Sequence, residues 1–312
     1  MNNRWYIGVM ILLVVMVDSV NCKRVILPGS NKAIKEYFSI DDNNVIAKGA
    51  KVIKLAGGFK FTEGPVEDID GGVYFTDDPN RRVHKWFPDG RVVTVIKNSG
   101  RPAGLAIDRD GSLLVCEKDN HRVISLDRNK NISVLANTYN NKLLNEPNDL
   151  WVDLKGGIYF SDPYYGPKGE MPQDGKHVYY LTPDRKTLLR VTHDVVHPNG
   201  VIGTSDGKIL YVADNRGEVK TWRFTINEDG TLSNKNLLAD EGSDGVTLDI
   251  EGNIYLCMDK VYVYSKEGVL IDTIELPERP HNLCFYGEKK LKLFITAGTS
   301  IYSLDMRVRG MY

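Results

Sequence analysis

Oxygen-bearing side chains recur at one register of a repeated strand–turn–strand pattern. The pattern occurs six times, and its turn residues are Asp70, Asp110, Lys155, Asp206, Glu251 and Lys289. Seven residues before each turn residue stand the positions that we call the ring positions, Glu63, Ala103, Asn148, Asn199, Asp244 and Asn282. Five of the six carry a carboxylate or an amide, and such oxygen ligands suit Ca²⁺ or Mg²⁺ better than zinc. If the repeats converge, the sequence predicts a cation site.

A simpler interpretation stays open for each ring position alone, because Asn and Asp beside Gly commonly form turns. The same register in five repeats weakens that interpretation. A turn also gives no reason for the glutamate at position 63.

The repeats themselves predict an all-β fold. Short alternating runs of Val, Ile, Tyr and Leu end in Asp-Gly, Gly-Gly or Glu-Gly turns, and successive turn residues lie 40, 45, 51, 45 and 38 residues apart. A unit of this length corresponds to one propeller blade, which needs neighbours on both faces to bury its side chains. We therefore predict a six-bladed β-propeller over residues 50–312, whose innermost strands bring the ring positions to one axis.

The N-terminus reads as a targeting segment. Residues 1–22, "MNNRWYIGVMILLVVMVDSVNC", place an arginine before an apolar run that is shorter than a membrane span needs, which predicts a signal peptide and an exported protein, periplasmic or secreted. A signal anchor, or a lipoprotein modified at Cys22, remains an alternative. Residues 23–49 form an N-terminal segment in which 31–41 could make a short helix. The net charge of −1 gives no reason to expect nucleic acid as a partner.

The remaining cysteines are Cys116, Cys257 and Cys284, each in an apolar, strand-like context. We interpret them as buried thiols, although a bridge between Cys257 and Cys284 stays open in an oxidising compartment. No Cys/His spacing in the sequence is typical of a zinc site.

Over about residues 50–308 the chain resembles the family of gluconolactonase, senescence-marker protein (regucalcin) and luciferin-regenerating enzyme, and it is most similar to exported bacterial lactonase-like members. The motifs that carry the resemblance are "TEGP", "LNEPNDLWVDLKGGIYFSDPYYG", "HPNGVIGTSDGKILYVAD", "SDGVTLDIEGNIY" and "FITAGTSIYSL". The resemblance implies a six-bladed propeller with one axial divalent cation, Ca²⁺ first, with Mg²⁺, Mn²⁺ or Zn²⁺ as alternatives. The implied metal ligands are Glu63, Asn199 and Asp244, with Asn148 at the metal or the substrate, and Asp244 is the implied proton acceptor or donor.

Two features depart from that family. Ala103 stands where an asparagine is common in the exported members. Glu146 stands where regucalcin-like members have an arginine that holds sugar hydroxyls, so Glu146 and Asn148 are the expected substrate contacts and a sugar lactone is in doubt. His197 and His281 lie close to ring positions and are interpreted either as rim side chains or as a base or substrate contact.

Two functions follow from these residues. The first is a metal-dependent hydrolase of a lactone or related ester, in which the cation polarises the carbonyl and Asp244 moves the proton. The second is a non-catalytic calcium-binding or scaffolding propeller. Fold class does not separate them, because propellers serve both purposes.

Overall fold

The structure is a computed structural model that describes residues 45–167 and 169–312. The predicted signal peptide and the short helix at 31–41 lie outside the described residues. Within the described ranges the chain forms 26 strands and no α-helix. No helix in this part of the chain is long and apolar enough to cross a membrane.

Six four-stranded antiparallel sheets form the blades, and five of them use four strands that follow one another in the chain. The first strand of the chain, β1 (Ile53–Gly57), belongs to the sixth blade. Blade 1 contains β2 (Thr62–Glu67), β3 (Val73–Asp77), β4 (Arg82–Trp86) and β5 (Val92–Ile96). Blade 2 contains β6 (Pro102–Ile107), β7 (Leu113–Glu117), β8 (Arg122–Leu126) and β9 (Ile132–Ala136). A small hairpin follows, made of β10 (Thr138–Tyr139) and β11 (Lys142–Leu143). Blade 3 contains β12 (Leu150–Val152), β13 (Ile158–Asp162), β14 (His177–Leu181) and β15 (Leu188–Thr192). Blade 4 contains β16 (Pro198–Gly203), β17 (Ile209–Asp214), β18 (Thr221–Ile226) and β19 (Leu232–Ala239). Blade 5 contains β20 (Val246–Leu248), β21 (Ile254–Cys257), β22 (Val261–Tyr264) and β23 (Leu270–Ile274). Blade 6 contains β24 (Pro280–Tyr286), β25 (Lys292–Ala297) and β26 (Ser300–Asp305), and β1 completes it. The predicted all-β, six-bladed propeller is confirmed.

Blade 6 is built from both ends of the described chain. Strand β1 pairs antiparallel with β26, with Gly57 opposite Ser300. The Arg307 N–H donates to the Val45 carbonyl at 2.8 Å, so the segment before β1 also packs on this blade. In this way β1 becomes the outermost strand of blade 6 and pairs with the edge of β26 that would otherwise be exposed.

Apolar side chains fill the spaces between neighbouring blades. Tyr159, Tyr179, Phe75 and Phe294 are among the largest fully buried side chains. Burying one such aromatic side chain stabilises the fold by about 1.5–3 kcal/mol, so the inter-blade layers hold the inner strands in fixed positions.

The described cysteines belong to this apolar interior. Cys116 and Cys257 are fully buried, Cys284 is half-buried, and all three are free thiols. Burial raises the pKa of each thiol, which is the behaviour of a packed, unreactive cysteine.

Candidate metal centre at the mouth of the axial channel

The ring positions lie where the innermost strand of each blade enters the sheet. In blades 1, 2, 4 and 6 the ladder between the first two strands shifts register at this point, for example between Glu63 and Val66 and between Pro198 and Val201. A bulge of this kind bends the strand and re-aims a side chain. The bend turns the ring residue toward the axis at one mouth of the channel.

Close approach of neighbouring blades explains the glycine that follows several ring residues. Gly64 has φ +47°, and a Cβ there would lie 2.1 Å from the Ala103 carbonyl oxygen of blade 2. A Cβ on Gly200 would lie 2.7 Å from the Asp244 carbonyl oxygen of blade 5. These glycines are therefore required by packing around the axis, and the turn interpretation is not needed for them.

A second register of carboxylates anchors the segments that lead into the ring. Asp77, Glu117, Asp162 and Asp214 end the second strand of blades 1 to 4. Each accepts a hydrogen bond from a backbone N–H two or three residues before its ring position: Phe61 (3.3 Å), Gly100 (2.8 Å), Asn145 (2.9 Å) and His197 (3.1 Å). These acids hold the ring in place and are not part of it.

The structure brings the four predicted ligands, Glu63, Asn148, Asn199 and Asp244, into one connected group. The Asn199 side-chain amide donates to Asp244 Oδ1 at 2.7 Å, and Asn282 donates to Glu63 Oε2 at 3.0 Å. Glu63 and Asp244 interact electrostatically across the mouth. The predicted ring therefore exists as a cluster of oxygen-bearing side chains.

Tyr165 joins two members of this cluster. Its hydroxyl accepts hydrogen bonds from Asn199 Nδ2 at 2.9 Å and from Asn148 Nδ2 at 3.1 Å. The Tyr165 N–H in turn donates to Glu146 Oε2. Glu146, a predicted substrate contact, thus lies outside the ring, and its carboxylate fixes the backbone of the tyrosine.

Burial sets the electrostatics of the site. It is the main cause that raises the pKa of Glu63, and the neighbouring Asp244 and Asp149 raise it further. Burial also raises the pKa of Asp244, against the opposing effects of His281 and of the hydrogen bond from Asn199. Asp149 titrates at a pKa of about 7, mainly because it is buried. Ionising all three acids in one buried space is energetically unfavourable unless a positive charge lies beside them.

Several oxygens of the cluster are available to such a charge. Among the described residues, no hydrogen bond reaches Glu63 Oε1, Asp244 Oδ2, Asn148 Oδ1 or Asn199 Oδ1. Asn215 donates to Asp244 Oδ1 at 3.2 Å, and its own Oδ1 is buried without a partner. This oxygen-only set fits a hard divalent cation. The described ranges contain no group of three or more His, Cys, Asp or Glu placed to hold a metal, which agrees with a site built from two carboxylates and amides.

The predicted rim histidines both lie at this mouth. His281 stacks on Phe61, with ring centroids 3.9 Å apart, and its Nδ1 lies 3.1 Å from the Thr62 carbonyl oxygen. A carbonyl accepts only from a protonated Nδ1, so Nε2 is the basic nitrogen of a neutral His281. His197 packs edge-on against Tyr165 at 5.0 Å.

A cavity of about 260 Å³ adjoins the ring, and Asp149 and Asn282 are among its lining residues. Its walls come mainly from apolar residues that follow the ring positions, such as Val66, Ile107 and Val152, and Tyr312 contributes to its lining.

Asn215 and Asp149 were not among the residues predicted from the sequence. Asn215 directly follows β17 and Asp149 directly follows a ring position. An alignment of the residues that end the second strand of each blade would have identified Asn215. Nothing in the local sequence indicates that the Tyr165 hydroxyl reaches two ring amides.

The fold and the site together define a class: a six-bladed propeller with a ring of carboxylates and amides at one axial mouth. Residues 61–299 match the SMP-30/Gluconolactonase/LRE-like region, and the chain belongs to this family. A gluconolactonase from Zymomonas mobilis is 28% identical over 290 residues, covering 82% of this chain and 81% of the relative.

Solved structures show the same likeness. A gluconolactonase from Xanthomonas campestris has a TM-score of 0.79 at 28% identity and covers 84% of this chain and 91% of its own. The calcium-binding protein regucalcin from Agrobacterium tumefaciens has a TM-score of 0.73 at 19% identity, covering 84% and 96%. The second comparison shows the fold alone.

Proposed function

We propose that the protein hydrolyses a lactone at a divalent cation held by Glu63, Asn199 and Asp244, with Asn148 beside it and Ca²⁺ as the first choice. The observation that carries this proposal is the set of unpartnered oxygens on buried, mutually repelling Glu63 and Asp244. A dication relieves that repulsion and uses those oxygens. Membership of the family and similarity to gluconolactonases support the lactone as substrate.

When bound, the cation supplies an electrophile that polarises the lactone carbonyl. Asp244 is held for proton transfer, because Asn199 and Asn215 both donate to its Oδ1 and leave Oδ2 toward the mouth. His281, and Lys118 and Arg279 beyond it, favour the ionised form of this carboxylate. Asp244 accepts a proton from the attacking water and returns it to the ring oxygen as the acyl–oxygen bond breaks, so water and lactone give one hydroxy acid.

The basic Nε2 of His281 is oriented beside this carboxylate. The stacking on Phe61 and the contact with the Thr62 carbonyl fix the plane of the imidazole. Asp244 acts on the pKa of His281 and raises it against the larger lowering by burial. His281 therefore positions and tunes Asp244 in this proposal.

A hydrolysis screen tests the proposal. Sugar, aliphatic and aromatic lactones are offered with Ca²⁺, Mg²⁺, Mn²⁺, Zn²⁺ or a chelator, and we expect turnover with at least one cation and none with the chelator. Asp244→Asn should abolish turnover while the circular dichroism spectrum stays native and the melting temperature does not fall. Asp240→Asn is the matched control, since Asp240 is an exposed blade-4 residue with only a 3.7 Å contact to Lys220.

Two results contradict the proposal. Equal turnover by Asp244→Asn and the parent removes Asp244 from the mechanism. If a cation raises the melting temperature and no lactone, ester or phosphoester is hydrolysed, the propeller binds the cation without catalysis.

We also propose that this hydrolase is exported, on the basis of the signal-peptide pattern in residues 1–22. N-terminal sequencing of the protein recovered from its native cells tests the proposal. A mature N-terminus near Lys23 supports export through cleavage, and recovery of protein with Met1 retained from the cytoplasm contradicts export.

A further inference from the structure

One side of the mouth, between blades 3 and 4, carries a cluster of cationic and polar groups that the proposed mechanism does not use. The Lys176 ammonium donates to His197 Nδ1 at 2.5 Å. The Arg216 guanidinium carbon lies 4.9 Å from the centroid of the Tyr165 ring, and the same ring packs against His197. Lys176 is half-buried and Arg216 is exposed. The cluster thus extends from the interior of the mouth to its rim.

The histidine in this cluster has an unsatisfied donor. Because an ammonium only donates, His197 Nδ1 is the acceptor, and a neutral imidazole then carries its proton on Nε2. His197 is 3% exposed, and its Nε2 has no hydrogen-bond partner in the described part of the chain. A buried N–H group without an acceptor is rare and costs about 1–3 kcal/mol. This side of the mouth therefore has more donors than acceptors.

Neither cation of the cluster is in direct contact with an acid in the described part of the chain, and Asp214 acts on Lys176 only at a distance. Within the described ranges neither Lys176 nor Arg216 forms an ion pair. The nearby Asp214 carboxylate is already occupied, since it accepts the N–H groups of His197, Arg216, Gly217 and Glu218. Burial and then the charge of Arg216 lower the pKa of Lys176, against the raising effect of Asp214.

Two other cations near Tyr165, on blade 2, are paired with an acid, and Lys118 Nζ lies 5.8 Å from the Tyr165 ring centroid. Lys118 Nζ lies 2.5 Å from Asp78 Oδ2, and Arg101 Nε lies 2.9 Å from Asp78 Oδ1. Both cations of blade 2 thus contact one acid of blade 1, and Asp119 Oδ1 lies 3.7 Å from Arg101 Nη1. Within residues 45–167 and 169–312, Lys176 and Arg216 have no acid in such direct contact.

Lys176 and Arg216 lie close to the candidate metal centre, and the Tyr165 side chain connects Arg216 to it. Arg216 packs on the ring of Tyr165, whose hydroxyl bonds to Asn199. Asn215, the residue before Arg216, donates to Asp244. A substituent on a lactone bound at Asp244 would therefore reach toward Arg216 and Lys176.

We propose that Lys176 and Arg216, with His197 holding the Lys176 ammonium, form a subsite for an anionic substituent, a carboxylate or a phosphate, carried by the substrate lactone. This inference rests on the proposed function, because it specifies the substrate of the same site. An anion supplies the missing acceptor and the missing negative charge at once. The subsite would also make this chain prefer an anionic lactone to a neutral sugar lactone, because a neutral lactone has no charged group to pair with Lys176 and Arg216.

Matched substrates test the subsite. Glucono-δ-lactone is compared with 6-phosphoglucono-δ-lactone, and glucono-1,4-lactone with glucaro-1,4-lactone, so that phosphate and carboxylate are scored separately. In the parent we expect kcat/KM for the anionic member of at least one pair to exceed that of the neutral member about tenfold, with an advantage that shrinks as salt is added. Arg216→Gln and Lys176→Gln should each reduce that ratio about tenfold.

The control is Lys208→Gln, which removes one positive charge from the turn at the other end of blade 4. It should leave the ratio unchanged. Calorimetric titration with gluconate, glucarate and 6-phosphogluconate gives a second readout that needs no turnover. The additional anionic group should tighten binding in the parent, and Arg216→Gln should remove the gain.

The outcomes distinguish the two proposals. Equal kcat/KM within both pairs, with binding that ignores the additional anionic group, overturns the subsite and leaves the lactonase proposal standing. No turnover of any lactone with any cation, but Arg216-dependent binding of the anionic acids, overturns the lactonase proposal and supports the subsite. If both variants keep the preference for the anionic lactone, other residues bind the anionic substituent, and the proposed subsite is wrong.

Discussion

Removing the Tyr165 hydroxyl should weaken cation binding although Tyr165 is not one of the proposed ligands. The hydroxyl accepts from Asn199 at 2.9 Å and from Asn148 at 3.1 Å, and so it turns both amide NH₂ groups away from the oxygens that face the mouth. In Tyr165→Phe both amides lose this acceptor. Asn148 can then rotate and present a nitrogen where the cation requires an oxygen, and Asn199 is held only by its hydrogen bond to Asp244.

The magnitude follows from the two lost contacts. A typical hydrogen bond contributes about 0.5–1.5 kcal/mol, so losing two costs about 1–3 kcal/mol. At about 1.4 kcal/mol per factor of ten, Kd for the cation should rise roughly 5- to 100-fold. That range agrees with the roughly 10- to 100-fold effect of removing groups that orient metal ligands. The melting temperature of the chelated protein should fall as well, because the same two hydrogen bonds exist without the cation.

The assay is titration of the metal-free protein with Ca²⁺ in a calorimeter or against a chromophoric chelator. Tyr164→Phe is the matched control, because it removes a neighbouring hydroxyl that makes no hydrogen bond within the described residues. Arg216 packs on the ring of Tyr165, which the substitution keeps, so the preference for anionic lactones should survive in the variant. A Tyr165→Phe protein that binds Ca²⁺ within about twofold of the parent would refute the argument that this hydroxyl orients the ring amides.

Three further predictions concern the ring and its support. Glu63→Gln should weaken Ca²⁺ binding and turnover together. It should also raise the melting temperature of the chelated protein, because one of the two repelling acids is gone. A lower melting temperature of the variant in chelator would contradict the repulsion between Glu63 and Asp244. Gly64→Ala should lower the free energy of unfolding by about 1–3 kcal/mol in chemical denaturation. Gly71→Ala is the control, because Gly71 also has positive φ but has open space around it, and it should lower that free energy less. Equal losses in the two variants would mean that backbone strain alone explains the effect at Gly64. Burial would raise the pKa of Glu278, but hydrogen bonds lower it to about 2, so its stabilisation is present above the ordinary pKa of 4.5 and is lost as pH falls toward 2. The difference in melting temperature between the parent and Glu278→Gln should accordingly narrow between pH 6 and pH 2, and a constant difference would assign the effect to packing.

Local pattern was enough to predict the blades and most of the ring. Strand alternation and tight turns are short-range features. Counting back from the turn residue reached Glu63, Asn148, Asn199 and Asp244 because each ring position precedes its turn residue by seven residues. The propeller then follows from the repeat, since equivalent positions must converge on one axis.

Non-local contacts account for what the sequence did not indicate. The pairing of β1 with β26 joins residues at opposite ends of the described chain, and no local signal marks it. Tyr165 reaches the ring through a loop whose backbone depends on the Glu146 carboxylate, a contact between residues 19 positions apart. The cationic subsite needs Lys176 and Arg216 side by side, although they stand on different blades. Such groupings exist only once the blades have packed.

The closure of blade 6 also fixes an order of events during synthesis. Strand β1 is among the first parts of the propeller to leave the ribosome, and its partner β26 is among the last. Until β26 emerges, β1 has an unpaired edge, and blade 6 can offer neither blade 1 nor blade 5 a complete face to pack against. Because Asn282 of this blade bonds to Glu63 of blade 1, the ring itself is completed only at that late step. The nascent chain therefore cannot hold the proposed cation in its finished site before nearly all of the propeller has been made.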